Sequence, residues 1–566
     1  MIHADNSGSS RAGLVYTPLI RKAPMEIPDH TPMRLAALFV LAAAALAQTR
    51  APAIETIRKE ELQADLYFLA SDALRGRLTA SPEYQLAAEW IASRFARLGL
   101  QPLAEDASFF HRFDLVLSRL ADGNRLVLNT APDARRIARL HEDFSPLIFS
   151  ADAEARGRVT FAGFGIHAPE LNWDDYRGRN VAGQIVLLLE GDPERDDPKS
   201  RFDGLVTSEY ANTLRKALAA QSLGATAVLF ADPRATRPFA ATARAYWPAK
   251  PPHLERYTLA THMDRVRIPA LQVSPAIAEQ ILGRKLAEIN PSAPLTSALP
   301  VELAAALHRT IVPDRSVVGR IEGADPQLKN EAVLISAHYD HNGGDGQQIF
   351  PGADDNGSGT VAVLDIAEAF LAAAQRGQRP RRTVLFAVWG SEERCCGPLL
   401  GSWAWVERPL WPLDKTIAAL NMDMIGRSEE VPETGGPRFN GLKPQTAASN
   451  ANSVHVMGYS FNPDLAAAVR AANRDLDLTL RLDYDNNKSN LLRRSDQWPF
   501  LQRRVPAVFF HTGLHPDYHT ANDRPERIDY GKMERITRLV YQTAWDLAGS
   551  STRPQMPPQR EILDPR

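Results

Sequence analysis

The chain of 566 residues is 44% hydrophobic, 23% charged and 8% aromatic, more than the roughly 100–200 residues of one domain and enough to bury sizeable cores. Its 65 Lys and Arg against 67 Asp and Glu leave a formal charge of −2, which excludes a basic nucleic-acid face and a disordered polyelectrolyte. Only two cysteines occur, the neighbours Cys395 and Cys396, so a disulfide framework and a cysteine-based zinc finger are excluded, and any metal must be held by His, Asp and Glu.

The first feature in chain order is Met33-Arg34, a basic start to the apolar run 35–46. Ala45-Leu46-Ala47 then places small residues at the two positions a signal peptidase reads. This pattern predicts a signal peptide that starts at Met33 and is cleaved after Ala47. The run is well short of the ~20 apolar residues a bilayer span needs. The expected mature chain is therefore exported, periplasmic or extracellular, without stable membrane insertion. Next, Ile57, Leu62, Leu66 and Leu69, then Ala87, Ile91, Phe95 and Leu98, recur at helical spacing, with Gly99 as a stop. Residues 158–161, 185–189, 227–230 and 268–273 read as short strands, with one helix near 210–223 and Pro-rich edges at 251–252 and 290–300.

From about 310 to 550, apolar runs at 333–337, 383–388, 417–422 and 505–510 alternate with helical patterns at 359–374, 464–476 and 533–548. The alternation predicts an α/β fold, a mixed, mostly parallel sheet flanked by helices in three layers. The expected organisation is an upstream segment and signal at 1–47, the first part of the main domain at 54–149, an inserted β-rich module at 150–295, the rest of the main domain at 300–550 and a Pro-rich tail at 551–566.

Polar and acidic residues recur where these strands end. Ala337-His338-Tyr339-Asp340-His341 follows the first, and Pro351-Gly352-Ala353-Asp354-Asp355-Asn356-Gly357-Ser358-Gly359 opens the helix after it. Ser391-Glu392-Glu393, Asn421-Met422-Asp423 and Asp517-Tyr518-His519-Thr520 follow the others. In open α/β sheets this edge is where ligands bind. Hydrolysing an amide near neutral pH needs a strong nucleophile and a Lewis acid, and two zinc ions ~3.5–4 Å apart supply both. Asp355, Glu393 and Asp423, with a bridging hydroxide, balance the charge of such a pair, and His338 and His519 add neutral donors. Glu392, not needed as a ligand, is free to act as general base on a metal-bridging water. Asp340 is a candidate to orient the His338 imidazole. His341, His511 and His515 read as supporting or loop residues.

The order HYD…GADDNGSG…SEE…NMD…DYHT resembles the zinc aminopeptidases of the M28 peptidase family. Gly163-Phe164-Gly165-Ile166, Asp174-Asp175-Tyr176 and Gly183-Gln184-Ile185-Val186 resemble the protease-associated domain often inserted in them. The resemblance spans about residues 54–550. It implies two Zn2+ per chain, with Asp355 bridging, His338 and Asp423 completing one site, Glu393 and His519 the other, and Glu392 as general base and acid. Choosing Asp355 over Asp354 rests on the family pattern alone, since charge counting cannot separate them. Ser495-Asp496 resembles a family motif usually followed by His, where this chain has Gln497.

The expected function is an exported exopeptidase removing N-terminal residues from peptides. The alternatives are a glutamate-carboxypeptidase-like enzyme, a glutaminyl-cyclase-like enzyme using one zinc, and a non-catalytic binding protein on the same scaffold. Cys395 and Cys396 are expected as two small buried residues, with a redox-sensitive loop as the alternative.

Overall fold

The computed structural model describes residues 50–131, 134–248, 255–394 and 398–558. The expected signal segment, the Pro pair at 251–252, Cys395 and Cys396 lie outside the described residues.

A ten-stranded sheet organises the main domain. Its strands are β1 (Phe110–Leu120), β2 (Tyr257–Leu259), β3 (Leu307–Ile321), β4 (Ala332–His338), β5 (Thr383–Trp389), β6 (Thr416–Met422), β7 (Ser453–Met457), β8 (Thr479–Arg481) and β9 (Ala507–His511), with Gln101–Pro102 pairing along β3. Across the sheet the order is β2-β1-β3-β5-β4-β6-β9-β7-β8. The four apolar runs read as strands in the second half of the sequence are β4, β5, β6 and β9. They form the contiguous parallel centre β5-β4-β6-β9. The flanks are antiparallel, through β1, β2 and β3 on one side and β7 on the other.

β4 and β5 are buried along their whole length. Successive side chains of a strand point to opposite faces, so a continuous apolar run needs cover on both. Val333, Ile335, Val384 and Phe386 pack under α1 (Lys59–Leu69), α2 (Pro82–Leu98), α3 (Gly359–Gln375), α5 (Pro463–Ala472) and α7 (Tyr530–Gly549). Leu334, Leu385 and Ala387 face the opposite layer, which contains α4 (Leu400–Glu407) and α6 (Gln497–Gln502). Helix α2 follows its sequence signals closely. Ser81 accepts the Tyr84 N–H, Pro82 sits in the first turn, and Gly99 caps the end at φ 83°. The apolar stretch Ala353–Gln375 is long enough to cross a membrane by composition, but it is the core helix, with 78% of its most apolar window buried.

A second, six-stranded sheet lies within residues 144–296. Its order is Leu295–Thr296, Val159–Phe161, Ile185–Leu189, Ala227–Ala231, Ala270–Val273, Phe144–Pro146. It too is covered on both faces, by clusters holding Leu187 and Leu229 on one side and Leu188 and Phe230 on the other. A four-stranded antiparallel sheet, including Arg125–Ala131 and Val301–Ala305, packs against the first of these clusters. Tyr257–Leu259 departs from this region to become edge strand β2 of the main sheet.

Candidate metal centre

The parallel strands β5, β4, β6 and β9 are neighbours, so their carboxyl ends open on one edge of the sheet. His338 is the last residue of β4, Asp423 follows β6 directly, Glu392 and Glu393 follow β5, and His519 comes from the loop after β9. Asp355 enters from the turn that starts α3. Two groups of donor atoms meet here, each with its atoms within 4.8 Å of one another: His338, Asp355 and Asp423, and His341, Asp355, Glu393 and His519. Asp355 belongs to both. All five residues expected as metal ligands are thus brought together.

The donor atoms crowd one another. His338 Nε2 lies 3.5 Å from both Asp355 Oδ1 and Asp423 Oδ2. His519 Nε2 lies 2.9 Å from Asp355 Oδ2 and 3.2 Å from Glu393 Oε1. Yet His338 Nε2, His519 Nε2, Asp355 Oδ2 and Asp423 Oδ1 have no hydrogen-bond partner among the described residues. Buried polar atoms are normally satisfied, and buried carboxylates are costly unless paired or bound to metal. Unpartnered donor atoms that converge on common points fit cations held between them. The imidazole and carboxylate donors suit zinc. Burial pulls the His519 imidazole down, but the Glu393 and Asp355 carboxylates hold it up at about 10. The field that retains that proton would equally retain a divalent cation.

The structure separates the adjacent acids Asp354 and Asp355. Asp354 Oδ1 accepts the Gly426 N–H at 2.7 Å, and its Oδ2 lies 3.2 Å from His515 Nε2, so both oxygens are engaged away from the centre. The Asp523 carboxylate accepts the backbone N–H groups of Asp354 and Asp355, fixing the turn and leaving the Asp355 side chain free to face the histidines. The preceding Gly352 has φ 59°, and a Cβ there would overlap the Asp355 carbonyl and the His341 ring. Buried Arg77 clamps the same loop, donating to the carbonyls of Tyr339, Leu69, Pro351 and Gly352. Left-handed backbone at the non-glycine residues Ser391, Met424 and His519 marks three of the four strand ends. Such conformations cluster where a fold positions functional groups.

Asp340 differs from its expected role in detail. His338 Nδ1 lies 3.2 Å from the Asp340 backbone carbonyl, whereas the carboxylate is 3.6 Å away. That carboxylate instead accepts the N–H groups of Glu392 at 2.9 Å and Glu393 at 3.1 Å. One residue therefore orients the imidazole through its backbone and the acidic pair through its side chain. Glu392 stands beside the donors, its Oε2 3.9 Å from His338 Nε2. Burial holds its carboxyl well above the usual range despite the opposing pull of His338.

The sequence reading gave no direct role to two residues the structure brings in. His341 Nδ1 lies 3.0 Å from Glu393 Oε1. Its only signal was its place three residues after His338. Ser495 bonds Asp423, which gives the Ser495-Asp496 motif a contact to the centre. Gln497 is buried and donates to the Leu492 carbonyl.

A cleft of about 460 Å³ opens over Asp355, Glu392, Glu393 and Asp423. Residues 316–544 match the family model described as Peptidase family M28. This part of the chain is similar to M28 peptidases. Among curated proteins, this chain is similar to a probable glutamate carboxypeptidase of Arabidopsis thaliana, 28% identical over 49% of this chain and 37% of the relative. It is also similar to a probable leucine aminopeptidase of Arthroderma benhamiae, 25% identical over 41% of this chain and 64% of the relative. The chain spans between 16% and 37% of the length of the four glutamate carboxypeptidases it matches first. Among solved structures, an aminopeptidase from Aneurinibacillus sp. strain AM-1 aligns over 91% of this chain and 97% of its own, at 16% identity and TM-score 0.46.

Proposed function

We propose that the chain is a dinuclear zinc exopeptidase, most directly an aminopeptidase. The supporting observation is the pair of overlapping donor groups that share Asp355, with Glu392 beside them and outside both. In this reading His338 and Asp423 would hold one zinc and Glu393 and His519 the other, with Asp355 available to both groups. Zinc bound there supplies a Lewis acid for the scissile carbonyl and makes water acidic enough to deprotonate near neutral pH. Glu392 takes the proton of the attacking water as the new C–O bond forms, then delivers it to the amide nitrogen as the C–N bond breaks. Asp340 keeps Glu392 in place by accepting its backbone N–H. The carboxylates lining the cleft favour a free α-amine.

A carboxypeptidase reading draws on a different observation, the side chains of Arg394, Arg493 and Arg494 in the same cleft wall, which suit a substrate carboxylate. Two further assignments accompany the proposal: the β-rich region at 150–295 as a protease-associated domain, and export directed by the signal at Met33–Ala47. The test is zinc content together with hydrolysis of matched peptides. An aminopeptidase cleaves those with a free amine and spares N-acetylated ones, whereas cleavage of N-acetylated peptides at the C-terminus would replace it with the carboxypeptidase reading.

A further inference from the structure

A second groove adjoins the cleft over the metal centre. It lies between residues 207–218 and helices α4 and α6, and its volume of about 710 Å³ exceeds the cleft's. The two share Thr207, Pro398 and Arg493 in their walls, so a chain leaving the centre on that side enters the groove.

The shared wall is tied down. Arg493 donates to the Thr207 carbonyl at 2.6 Å and to Glu209 Oε1 at 3.0 Å. Its guanidinium lies 5.5 Å from the Trp498 ring, whose Nε1 donates to the same Glu209 oxygen at 2.8 Å. Asn490 and Asn486 accept the N–H groups of Thr207 and Leu205, both at 2.7 Å. These bonds join parts of the chain more than 280 residues apart, so the groove is a standing feature of the fold.

Its chemistry is lopsided. Leu214, Leu218 and Trp403 contribute apolar surface. Its two acids are already engaged, Glu209 by Arg493 and Glu407 by His262 at 2.8 Å. Arg215, Arg265 and Arg503 also line it; Arg215 stacks 4.0 Å over the Tyr210 ring and lies in the field of Glu170, and Arg503 lies in that of Glu407, so the guanidinium groups of the groove outnumber its carboxylates. An apolar floor with more guanidinium groups than carboxylates is complementary to a peptide that carries carboxylates. We propose that this groove binds the part of a peptide substrate that follows the scissile bond, and favours oligopeptides with an acidic side chain or terminal carboxylate there. The proposal rests on the aminopeptidase reading for the direction of the bound chain.

The test uses the full-length zinc-loaded protein with leucyl 4-nitroanilide and two leucine-headed pentapeptides, one ending in two aspartates and one in two lysines with an amidated terminus. The acidic pentapeptide is expected to have a kcat/KM at least tenfold above the basic one. Arg215→Glu combined with Arg503→Glu is expected to lower the ratio of acidic-pentapeptide to nitroanilide kcat/KM at least tenfold. Equal kcat/KM for the two pentapeptides, or an unchanged ratio in the variant, would overturn the proposal. Hydrogen exchange of Glu392→Gln protein with the acidic pentapeptide reads the groove independently of turnover. Protection of residues 213–222 and 400–407 supports it even if no substrate is hydrolysed, an outcome that would sink the exopeptidase reading alone. Hydrolysis without that protection would sink the groove alone.

Discussion

Ser495 Oγ donates to Asp423 Oδ2 at 2.7 Å, and Asp423 Oδ1 is left without a hydrogen bond among the described residues. Ser495 accepts in turn from Asn421 Nδ2 at 2.8 Å, and Asn421 Oδ1 accepts from Ser336 at 2.9 Å. The chain of bonds links β4, β6 and the start of α6, and holds the Asp423 carboxylate beside His338. Partners that orient a ligand are typically worth ~10–100-fold in metal affinity. Ser495→Ala is expected to fold normally and to bind zinc more weakly by about that factor, read by competition with a chelator. Undiminished affinity would remove the orienting role.

Asp354 and Asp355 are adjacent acids with opposite expected phenotypes. Asp354→Ala strands the buried Gly426 N–H and removes the partner of His515, a loss of about 1–3 kcal/mol in unfolding free energy. Its zinc content should persist. Asp355→Ala should instead lose zinc and activity, because both donor groups share that side chain. Denaturant titration and elemental analysis of the two proteins side by side separate the roles. Equal zinc loss in both would contradict the division.

Glu392→Gln keeps the backbone N–H that Asp340 accepts and removes only the proton-accepting oxygen. General acid–base groups typically contribute ~10²–10⁴-fold, so kcat is expected to fall by that order with zinc content and thermal midpoint unchanged. Wild-type kcat in the variant would rule out the assigned proton transfer.

His455 supplies a pH signature away from the donors. It is buried, with Nε2 3.1 Å from Glu429 and Nδ1 2.6 Å from Asp483, and its ring stacks on Tyr484. Burial pulls its pKa down, but the two carboxylates win and raise it from 6.5 to about 9. Because the folded state holds the proton more tightly, the contribution is fully present below pH 6.5 and is lost as pH rises through about 9. At about 1.4 kcal/mol per pH unit it amounts to roughly 3 kcal/mol. Urea midpoints of the wild type should fall across pH 6.5–9, and His455→Phe should lack that slope. Parallel pH profiles in the two proteins would refute the assignment.

Residue type and local pattern carried the centre of the sheet and the donor set. β4, β5, β6 and β9 were legible because a parallel strand buried on both faces has to be a continuous apolar run. His338, Glu392, Glu393, Asp423 and His519 stood out because metal-assisted hydrolysis requires nitrogen and carboxylate donors, and they recur just after those runs; Asp355 was distinguished from Asp354 only by the resemblance to a known family. β1 and β3 were not legible. They pair antiparallel from Leu307–Leu120 to Val317–Phe110, and their exposed positions carry residues such as Arg112, Asp114 and His308 that break any apolar run.

Other outcomes were decided only by tertiary structure. Asp354 and Asp355 have the same charge and neighbouring positions, and what separates them is that distant Gly426 and His515 engage both oxygens of Asp354 while the Asp355 carboxylate faces His338 and His519. The contact of Ser495 with Asp423, the position of His341 and the groove beside residues 207–218 likewise depend on distant segments meeting. Donor chemistry is a property of each residue and can be read from the sequence alone. Which lone pairs remain free depends on every neighbour the fold supplies.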